Sequence, residues 1–306
     1  MPHGSYLVNL AHIDAARTTQ AYDAFVDDLH RCESMGITLY NFHPGNVAGK
    51  PRPEAIAHLA SNLNRAHKET STVITLLENM AAGGNVIGST FQDLHDIIDL
   101  IDDKTRVGVC LDTCHAFAGG YDLRTPEALQ ATLGEFDKTV GIKYLRALHL
   151  NDSKAPFQSH RDLHANIGTG FLGLRAFHAI VNEPRFEGLP IVLETPIEVR
   201  DEDGNVVKDE KGKVKEDKGI WAQEIKMLES FVGMDVESEE FLTLEKALAR
   251  KGEGERKRVN DQVERREEKA KEKATKGKKG TKKKGKVEKD DEKSSGGSSL
   301  SEMEDE

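Results

Sequence analysis

The chain has 306 residues, enough for one large domain or for a domain with an appendage. No run of about 18 apolar residues occurs, which argues against a membrane helix, and three cysteines are typical of a reducing compartment. The net charge of −10 is unevenly distributed, because residues 256–289 hold 16 Lys and Arg against 6 Asp and Glu. An acidic body therefore carries a basic tail.

Short apolar segments alternate with longer helical segments over residues 1 to about 195. The segments that resemble strands are GITLYNFHPG, STVITLLENM, RVGVCLDTCH, YLRALHLND and LPIVLETP. Alternation of this kind predicts parallel βα units, and five units with nearly continuous apolar strands predict a TIM-type (β/α)8 barrel. The opening MPHGSYLVNL can supply only the end of one further strand. We therefore expect an incomplete, N-terminally truncated barrel without its first two βα units.

The barrel pattern is interrupted once and then ends. Residues 199–219 are charged and rich in glycine, which predicts an inserted surface loop or hairpin. An amphipathic helix follows over 220–233, with Gly233 as its C-cap. The sequence thus predicts a TIM-barrel domain over 1–233 and a low-complexity, Lys-rich, disordered tail over 234–306, of which residues 239–274 could be partly helical.

Histidine and acidic side chains stand where the predicted strands end. Those residues are His43, Glu78, Asp112, His149 and Glu194. Parallel strands bring their carboxyl ends to one mouth of a barrel, where His3 joins them, and the loops add His115, Asp162 and His164. One such residue is more often a loop anchor, but nine together would repel each other unless cations fill the space between them. Imidazole and carboxylate ligands favour Zn²⁺, and Mn²⁺ or Fe²⁺ less often, while Cys110 and Cys114 fit a packing role.

Seven stretches, in order, closely resemble the endonuclease IV family of apurinic/apyrimidinic (AP) endonucleases, in a eukaryotic, fungal-type form. They are PHGSYLVNL, NFHPG, LLENMAAGGN, GVCLDTCHAFAGGYDLRT, LHLNDSKAPF, RDLHANIGTGFLG and IVLETP. They span residues 2–196, and the resemblance continues through the helix at 220–233. It implies a zinc-dependent phosphodiester hydrolase of base excision repair, which cuts double-stranded DNA 5′ to an abasic site and trims blocked 3′ ends.

The resemblance also implies three zinc ions and assigns the ligands to them. The first ion would be held by His3, His43 and Glu78; the second by Glu78, Asp112, His149 and Glu194; and the third by His115, Asp162 and His164. Two metals that share a carboxylate can activate a water, and a third can hold the departing 3′ oxygen. Glu78 and Glu194 are the expected catalytic residues, since they could also orient the nucleophile.

Tyr6 and Leu7 match positions where the family inserts side chains into DNA, although Leu7 could equally be strand core. We expect Arg124, Lys154 and Arg161 to contact phosphates beside the mouth. The family precedent implies a monomer.

The Lys-rich stretch KGKKGTKKKGK is typical of a nuclear localisation signal read by the import machinery. We therefore expect a nuclear protein, with a mitochondrial share left open. The same charges could add weak, sequence-independent affinity for DNA.

Two alternatives stay open at this point. A metal-dependent sugar isomerase or epimerase would share the fold and the His/Glu/Asp mouth, but it normally needs only one or two metals. Alternatively, the truncated chain could be an inactive fragment whose tail alone binds nucleic acid.

Overall fold

The computed structural model describes residues 1–12, 14–81, 84–202 and 204–284. The chain divides into two compact units, Met1–Asn260 and Asp261–Glu306. In its described part the second unit is the continuation of one helix. Among the helices of the described ranges, none combines the length and the apolar character needed to cross a membrane.

The first unit is built around a sheet of five parallel strands. The strands are β1 (Leu39–Phe42), β2 (Ile74–Glu78), β3 (Val107–Asp112), β4 (Leu145–His149) and, after two short strands, β7 (Ile191–Val192). Their order in the sheet is β1-β2-β3-β4-β7. These are the five predicted strands, and they form a curled half-barrel, which confirms the predicted class. The two short strands, β5 (Asp152–Ser153) and β6 (His164–Ala165), form a separate antiparallel pair.

The opening segment of the chain adds to this sheet beside β1. His3 forms a parallel bridge with Asn41, and the Gly4 amide donates to the Asn41 carbonyl oxygen at 2.8 Å. The segment therefore behaves as the end of a strand, as predicted. This pairing brings His3 to the same edge of the sheet as the last residues of β2, β3 and β4.

Eight helices occur in the described ranges. They are α1 (Ala15–Ser34), α2 (Arg52–Glu69), α3 (Phe91–Asp99), α4 (Thr113–Gly119), α5 (Pro126–Thr139), α6 (Leu174–Val181), α7 (Gly219–Ser230) and α8 (Glu239–Lys284). The start of α1 is capped by Asp14, that of α3 by Thr90 and that of α5 by Thr125, each accepting a backbone N–H. The apolar face of α1 packs on the sheet, where Phe25 meets Tyr40 and Phe42 edge-on.

The charged insert is a pair of consecutive antiparallel hairpins, which agrees with the hairpin alternative. Val199 accepts from the Val207 amide and donates to the Lys215 carbonyl oxygen, so the first segment of the insert pairs with both of the others. Arg200 bridges to Val206, and Lys208 bridges to Val214. The charges of the insert thus lie on regular backbone structure.

The predicted boundary of the tail needs correction, because the first compact unit extends to Asn260, not to 233. Residues 239–284 form α8, which agrees with the helical alternative for residues 239–274. An apolar stripe at helical spacing explains this, because Phe241, Leu244 and Leu248 pack on the barrel core. The Phe241 ring is fully buried and lies 5.4 Å from the ring of Phe231. The tail prediction for residues 285–306 falls outside the described residues.

We expect Gly108→Ala to lower the free energy of unfolding by about 1–3 kcal/mol, because a methyl group there would overlap the core. An added Cβ would lie 2.5 Å from Arg146 Cγ and 2.9 Å from Leu76 Cδ2. Urea unfolding monitored by circular dichroism measures the loss.

The matched control is Gly134→Ala on α5, where an added Cβ meets no atom within 4 Å. Helix propensity should make this control neutral or stabilising by up to about 1 kcal/mol. Equal unfolding midpoints for the two variants would contradict the proposed packing of β3.

Candidate metal centre

The nine predicted ligand residues converge at the carboxyl edge of the sheet, in the predicted groups. The groups are His3, His43 and Glu78; Glu78, Asp112, His149 and Glu194; and His115, Asp162 and His164. Within each group one ligand atom per residue lies within 4.8 Å of every other. Three of the ligands are the last residues of β2, β3 and β4. The parallel sheet therefore brings together side chains that are distant in sequence.

Glu78 is the centre of the arrangement, because its two carboxylate oxygens face different partners. Oε2 lies 2.9 Å from His3 Nε2 and 3.6 Å from His43 Nε2. Oε1 lies 3.2 Å from His149 Nδ1 and 3.3 Å from His115 Nδ1. The carboxylate is fully buried. One side chain thus joins two ligand groups, which is the geometry of a bridging ligand.

Burial and charge act in opposite directions on the ionisation of this cluster. Burial raises the pKa of Glu78, but hydrogen bonds from His115, His149 and His3 outweigh it and hold the pKa well below its usual range. Burial lowers the pKa of His149, yet its bonds with Cys110, Glu194 and Glu78 raise it overall. Burial likewise raises the pKa of Glu194, but its hydrogen bond with His149 outweighs burial and lowers that pKa overall. Glu78 and Glu194 therefore stay ionised and create a field that favours cations at the mouth.

Three of the histidines are oriented by backbone carbonyl groups. Nδ1 of His3 donates to the Gly4 carbonyl oxygen at 2.6 Å, and Nδ1 of His115 donates to that of Asn79 at 2.9 Å. Nδ1 of His164 donates to the Glu194 carbonyl oxygen at 3.3 Å. Because a carbonyl can only accept, Nδ1 of each ring carries a proton, and Nε2, which faces the carboxylates, is the nitrogen that the neutral ring could offer to a cation. Metal-binding histidines are commonly held in this way.

Three buried asparagines orient the acidic ligands, and the sequence reasoning did not single them out. Asn41 Nδ2 donates to Glu78 Oε2 at 2.5 Å, and Asn79 Oδ1 accepts from the Asp112 amide at 2.7 Å. Asn151 serves two ligands, since Nδ2 donates to Asp112 Oδ2 at 2.6 Å and Oδ1 accepts from the Glu194 amide at 2.9 Å. The available signal was position, because each asparagine lies within two residues of a ligand in the sequence.

The third group is built differently from the other two. His115 comes from α4, whereas Asp162 lies on the connection after β5 and His164 is the first residue of β6. Asp162 Oδ2 lies 3.1 Å from His115 Nε2, and Oδ1 lies 3.1 Å from His164 Nε2. Gln158 and His160, just before Asp162, have φ of 58° and 54°, a costly conformation for residues other than glycine. Strained backbone thus precedes the half-exposed Asp162.

The donor set fits divalent cations. Among the described residues, Nε2 of His115 and Nε2 of His164 are buried without a hydrogen bond of acceptable geometry, although both lie close to carboxylate oxygens. A buried nitrogen with a free lone pair is costly unless a ligand pairs with it. Nitrogen and carboxylate donors in this mixture suit zinc.

The cysteines fit the expected packing role. Cys114 lies within reach of Asp112 and His164, in a fourth group that could hold a metal. Burial raises the pKa of Cys114 to about 12, and that of Cys110 likewise to about 12. Only a thiolate is a good nucleophile or ligand, so both groups stay protonated and pack as small apolar side chains.

The five predicted DNA-contacting residues lie in different surroundings. Tyr6 and Leu7 are 81% and 77% exposed, so Leu7 does not belong to the strand core. Arg124 pairs with Asp122 at 2.7 Å and lies over the rings of two phenylalanines. Lys154 is partly buried beside α8, and Arg161 directly precedes Asp162. Their role in binding DNA stays a prediction.

A large groove on the surface of the protein does not include the candidate metal centre. An apolar groove of about 680 Å³ lies between α6, α7 and β7, lined by residues such as Ile191, Ile225 and Val232. None of the nine ligand residues lines it. The chemistry is concentrated instead in the charged mouth of the sheet.

Comparison with known proteins gives the following similarities. A family model described as xylose isomerase-like TIM barrel matches residues 1–231. Apurinic-apyrimidinic endonuclease 1 of Schizosaccharomyces pombe is 44% identical over 267 residues, which are 87% of this chain and 73% of that protein. Apurinic-apyrimidinic endonuclease 1 of Saccharomyces cerevisiae is 49% identical over 208 residues, which are 68% of this chain but only 57% of that protein.

Two solved structures support the same architecture. Endonuclease IV from Thermus thermophilus is 27% identical, with a TM-score of 0.58 over 75% of this chain and 74% of that chain. A D-tagatose 3-epimerase-like protein is 16% identical, with a TM-score of 0.53 over 75% of each chain. At that identity the second likeness concerns the fold alone.

We expect Asn151→Ala to weaken metal binding by about ten- to a hundredfold, because it removes hydrogen bonds to two ligand residues. Competition between the protein and a zinc-sensitive chelator measures the affinity. Asn64→Ala, on the exposed side of α2, is the control and should bind like the wild type. Wild-type affinity in a folded Asn151→Ala variant would disprove the orienting role.

Proposed function

The chain belongs to the AP endonuclease family of xylose isomerase-like TIM barrels and is by class a phosphodiester hydrolase; from this premise we propose that it is a zinc-dependent DNA-(apurinic or apyrimidinic site) endonuclease. In this role it would cut the phosphodiester 5′ to an abasic site and trim blocked 3′ ends in base excision repair. The observation that carries the proposal is the arrangement of nine ligand residues in three groups, two of which share Glu78.

Each group of ligand residues would hold one ion. When bound, divalent cations would lower the pKa of a water towards about 7 and neutralise charge on the scissile phosphate. The sugar isomerase alternative needs only the two groups that share Glu78. The third group, His115, Asp162 and His164, has no role in it and so favours the nuclease.

The two proposed catalytic carboxylates differ in exposure, and this difference separates their roles. Glu78 is fully buried and enclosed by histidines, so it can position its partners but cannot reach solvent. The Glu194 side chain is 33% exposed and lies 3.2 Å from His149 Nδ1. It can therefore accept a proton from the attacking water at the open side of the mouth. An ion in the third group could hold the departing 3′ oxygen.

Exposed apolar side chains beside His3 support a substrate with an extruded nucleotide. Tyr6 and Leu7 occupy a turn that directly follows the first ligand residue, and both point into solvent. Inserted into a duplex, they could replace the stacking that is lost when a nucleotide leaves the helix. An abasic nucleotide has no base to unstack, so its extrusion costs least.

Basic side chains could complete the interface of an otherwise acidic protein. Arg124, Lys154 and Arg161 lie on segments that surround the mouth and could contact phosphates on either side of the lesion. The Lys-rich end of the chain would add affinity that is insensitive to sequence and would serve as a nuclear localisation signal. We propose a nuclear monomer on these grounds.

We expect Glu78→Gln to abolish measurable incision of an abasic duplex, because it removes the negative charge that joins two ligand groups. A fluorescent oligonucleotide with one abasic site measures incision, and elemental analysis should find about three zinc ions per wild-type chain. Glu135→Gln, an exposed position on α5, is the matched control and should remain active. Undiminished incision by Glu78→Gln would refute the mechanism; turnover of a ketose without DNA cleavage would favour the isomerase.

We expect Leu7→Ala and Tyr6→Ala to lower kcat/KM for abasic duplexes by about ten- to a hundredfold, in line with about 1–3 kcal/mol per stacked contact. Because neither side chain is a ligand, the metal content should stay at the wild-type value. Exposed Met35→Ala, on the turn after α1, is the control. Loss of metal together with activity would mean that the turn supports His3 and does not contact DNA.

A further inference from the structure

Helix α8 lies outside residues 1–231, which the family model matches, yet its first part packs against the turn that follows His164. We propose that residues 248–256 of α8 position the third ligand group, formed by His115, Asp162 and His164. The inference deepens the proposed function, because it concerns the group that distinguishes a three-metal nuclease from a two-metal isomerase.

The turn between His164 and Gly170 is closed by its own hydrogen bonds. The Thr169 amide and hydroxyl both donate to the Asn166 carbonyl oxygen, at 3.0 and 2.7 Å. Buried Asp152 then accepts from the Gly170 amide at 2.8 Å. A displacement at Thr169 would therefore be transmitted through a short, rigid turn to His164.

Helix α8 contacts this turn through three residues. Arg256 Nη1 donates to the Thr169 carbonyl oxygen at 2.6 Å, while Nη2 donates to the Ala249 carbonyl oxygen at 2.7 Å. Gly252 lies so close that an added Cβ would overlap the Thr169 carbonyl oxygen. Leu248 packs over Gly168 one helical turn earlier. Glycine is thus the residue that allows this close approach.

Helix α7 supports the other end of the same turn and links it to the second ligand group. Glu224 Oε1 accepts from the Ile167 amide at 2.8 Å, and Oε2 accepts from the Thr195 hydroxyl next to Glu194. Trp221 Nε1 donates to the Thr195 carbonyl oxygen at 2.8 Å. Two helices therefore hold the turn, one through Ile167 and the other through Thr169.

The third group depends on this support more than the others do. Glu78, Asp112 and His149 end strands whose backbones are fixed by the sheet. Asp162 and His164 instead lie outside that sheet: Asp162 follows strained residues, and His164 begins the two-residue strand β6, which pairs with the equally short β5. Loosening α8 should affect the third ion and leave the other two in place.

The experiment compares Gly252→Ala with Gly254→Ala, two residues apart on the same helix. Both gain the same helix propensity, but an added Cβ at Gly254 meets no atom within 4 Å. Zinc per chain by elemental analysis and stepwise release to a chelator give the affinity of each ion. We expect Gly252→Ala to release one ion about ten- to a hundredfold more readily and to keep two, whereas Gly254→Ala should match the wild type.

Arg256→Met is the second variant, because it removes the hydrogen bond to Thr169 without adding bulk. It tests the positioning role if Gly252→Ala does not fold. It should also lose the third ion selectively. Three ions bound with wild-type affinity in Arg256→Met and in any folded Gly252→Ala would overturn the inference. Fewer than three ions in the wild type and in Gly254→Ala would instead overturn the proposed function, and the positioning role with it.

Discussion

The buried carboxylate of Glu78 is the constraint on which the rest of the centre depends. An ionised carboxylate without solvent is costly, so each of its oxygens must be satisfied by surrounding donors or cations. His3, His43, His115 and His149 surround it, and Asn41 adds a hydrogen bond. These side chains come from the opening segment, the ends of two further strands and α4, so the sheet must form before the charge can be accommodated.

The surrounding scaffold differs in stiffness from one side of the mouth to the other. Strand ends hold the ligands around Glu78, where backbone position is fixed by pairing with two neighbours. On the other side, Asp162 and His164 depend on contacts with α4, α7 and α8. The same edge of the sheet thus combines a part fixed by strand pairing, suited to activating a water, with a part held by contacts with helices.

The convergence of five of the nine proposed ligand residues could be predicted because their signal is local: an acid or histidine at the end of an apolar strand. The other four come from the opening segment and from the connections between the sheet strands, and the division into groups rests on the family resemblance. The orienting role of Asn151 could not be assigned in this way, because it depends on hydrogen bonds to Asp112 and Glu194 that only the folded structure shows. The packing of α8 on the barrel was missed for a similar reason. The sequence around Gly252 and Gly254 is highly charged and resembles low-complexity sequence. The apolar stripe of Phe241, Leu244 and Leu248 stabilises the helix only where it packs on the barrel surface.

The ligands extend along the chain from His3 to Glu194. Ions bound there would cross-link nearly the whole barrel, closing long loops much as disulfides do in secreted proteins. During synthesis the second group cannot be completed until Glu194 has left the ribosome, so a partial chain lacks the group that shares Glu78 with the first. Loading would then report that folding is complete, and a chain stripped of its ions would lose stability and activity together.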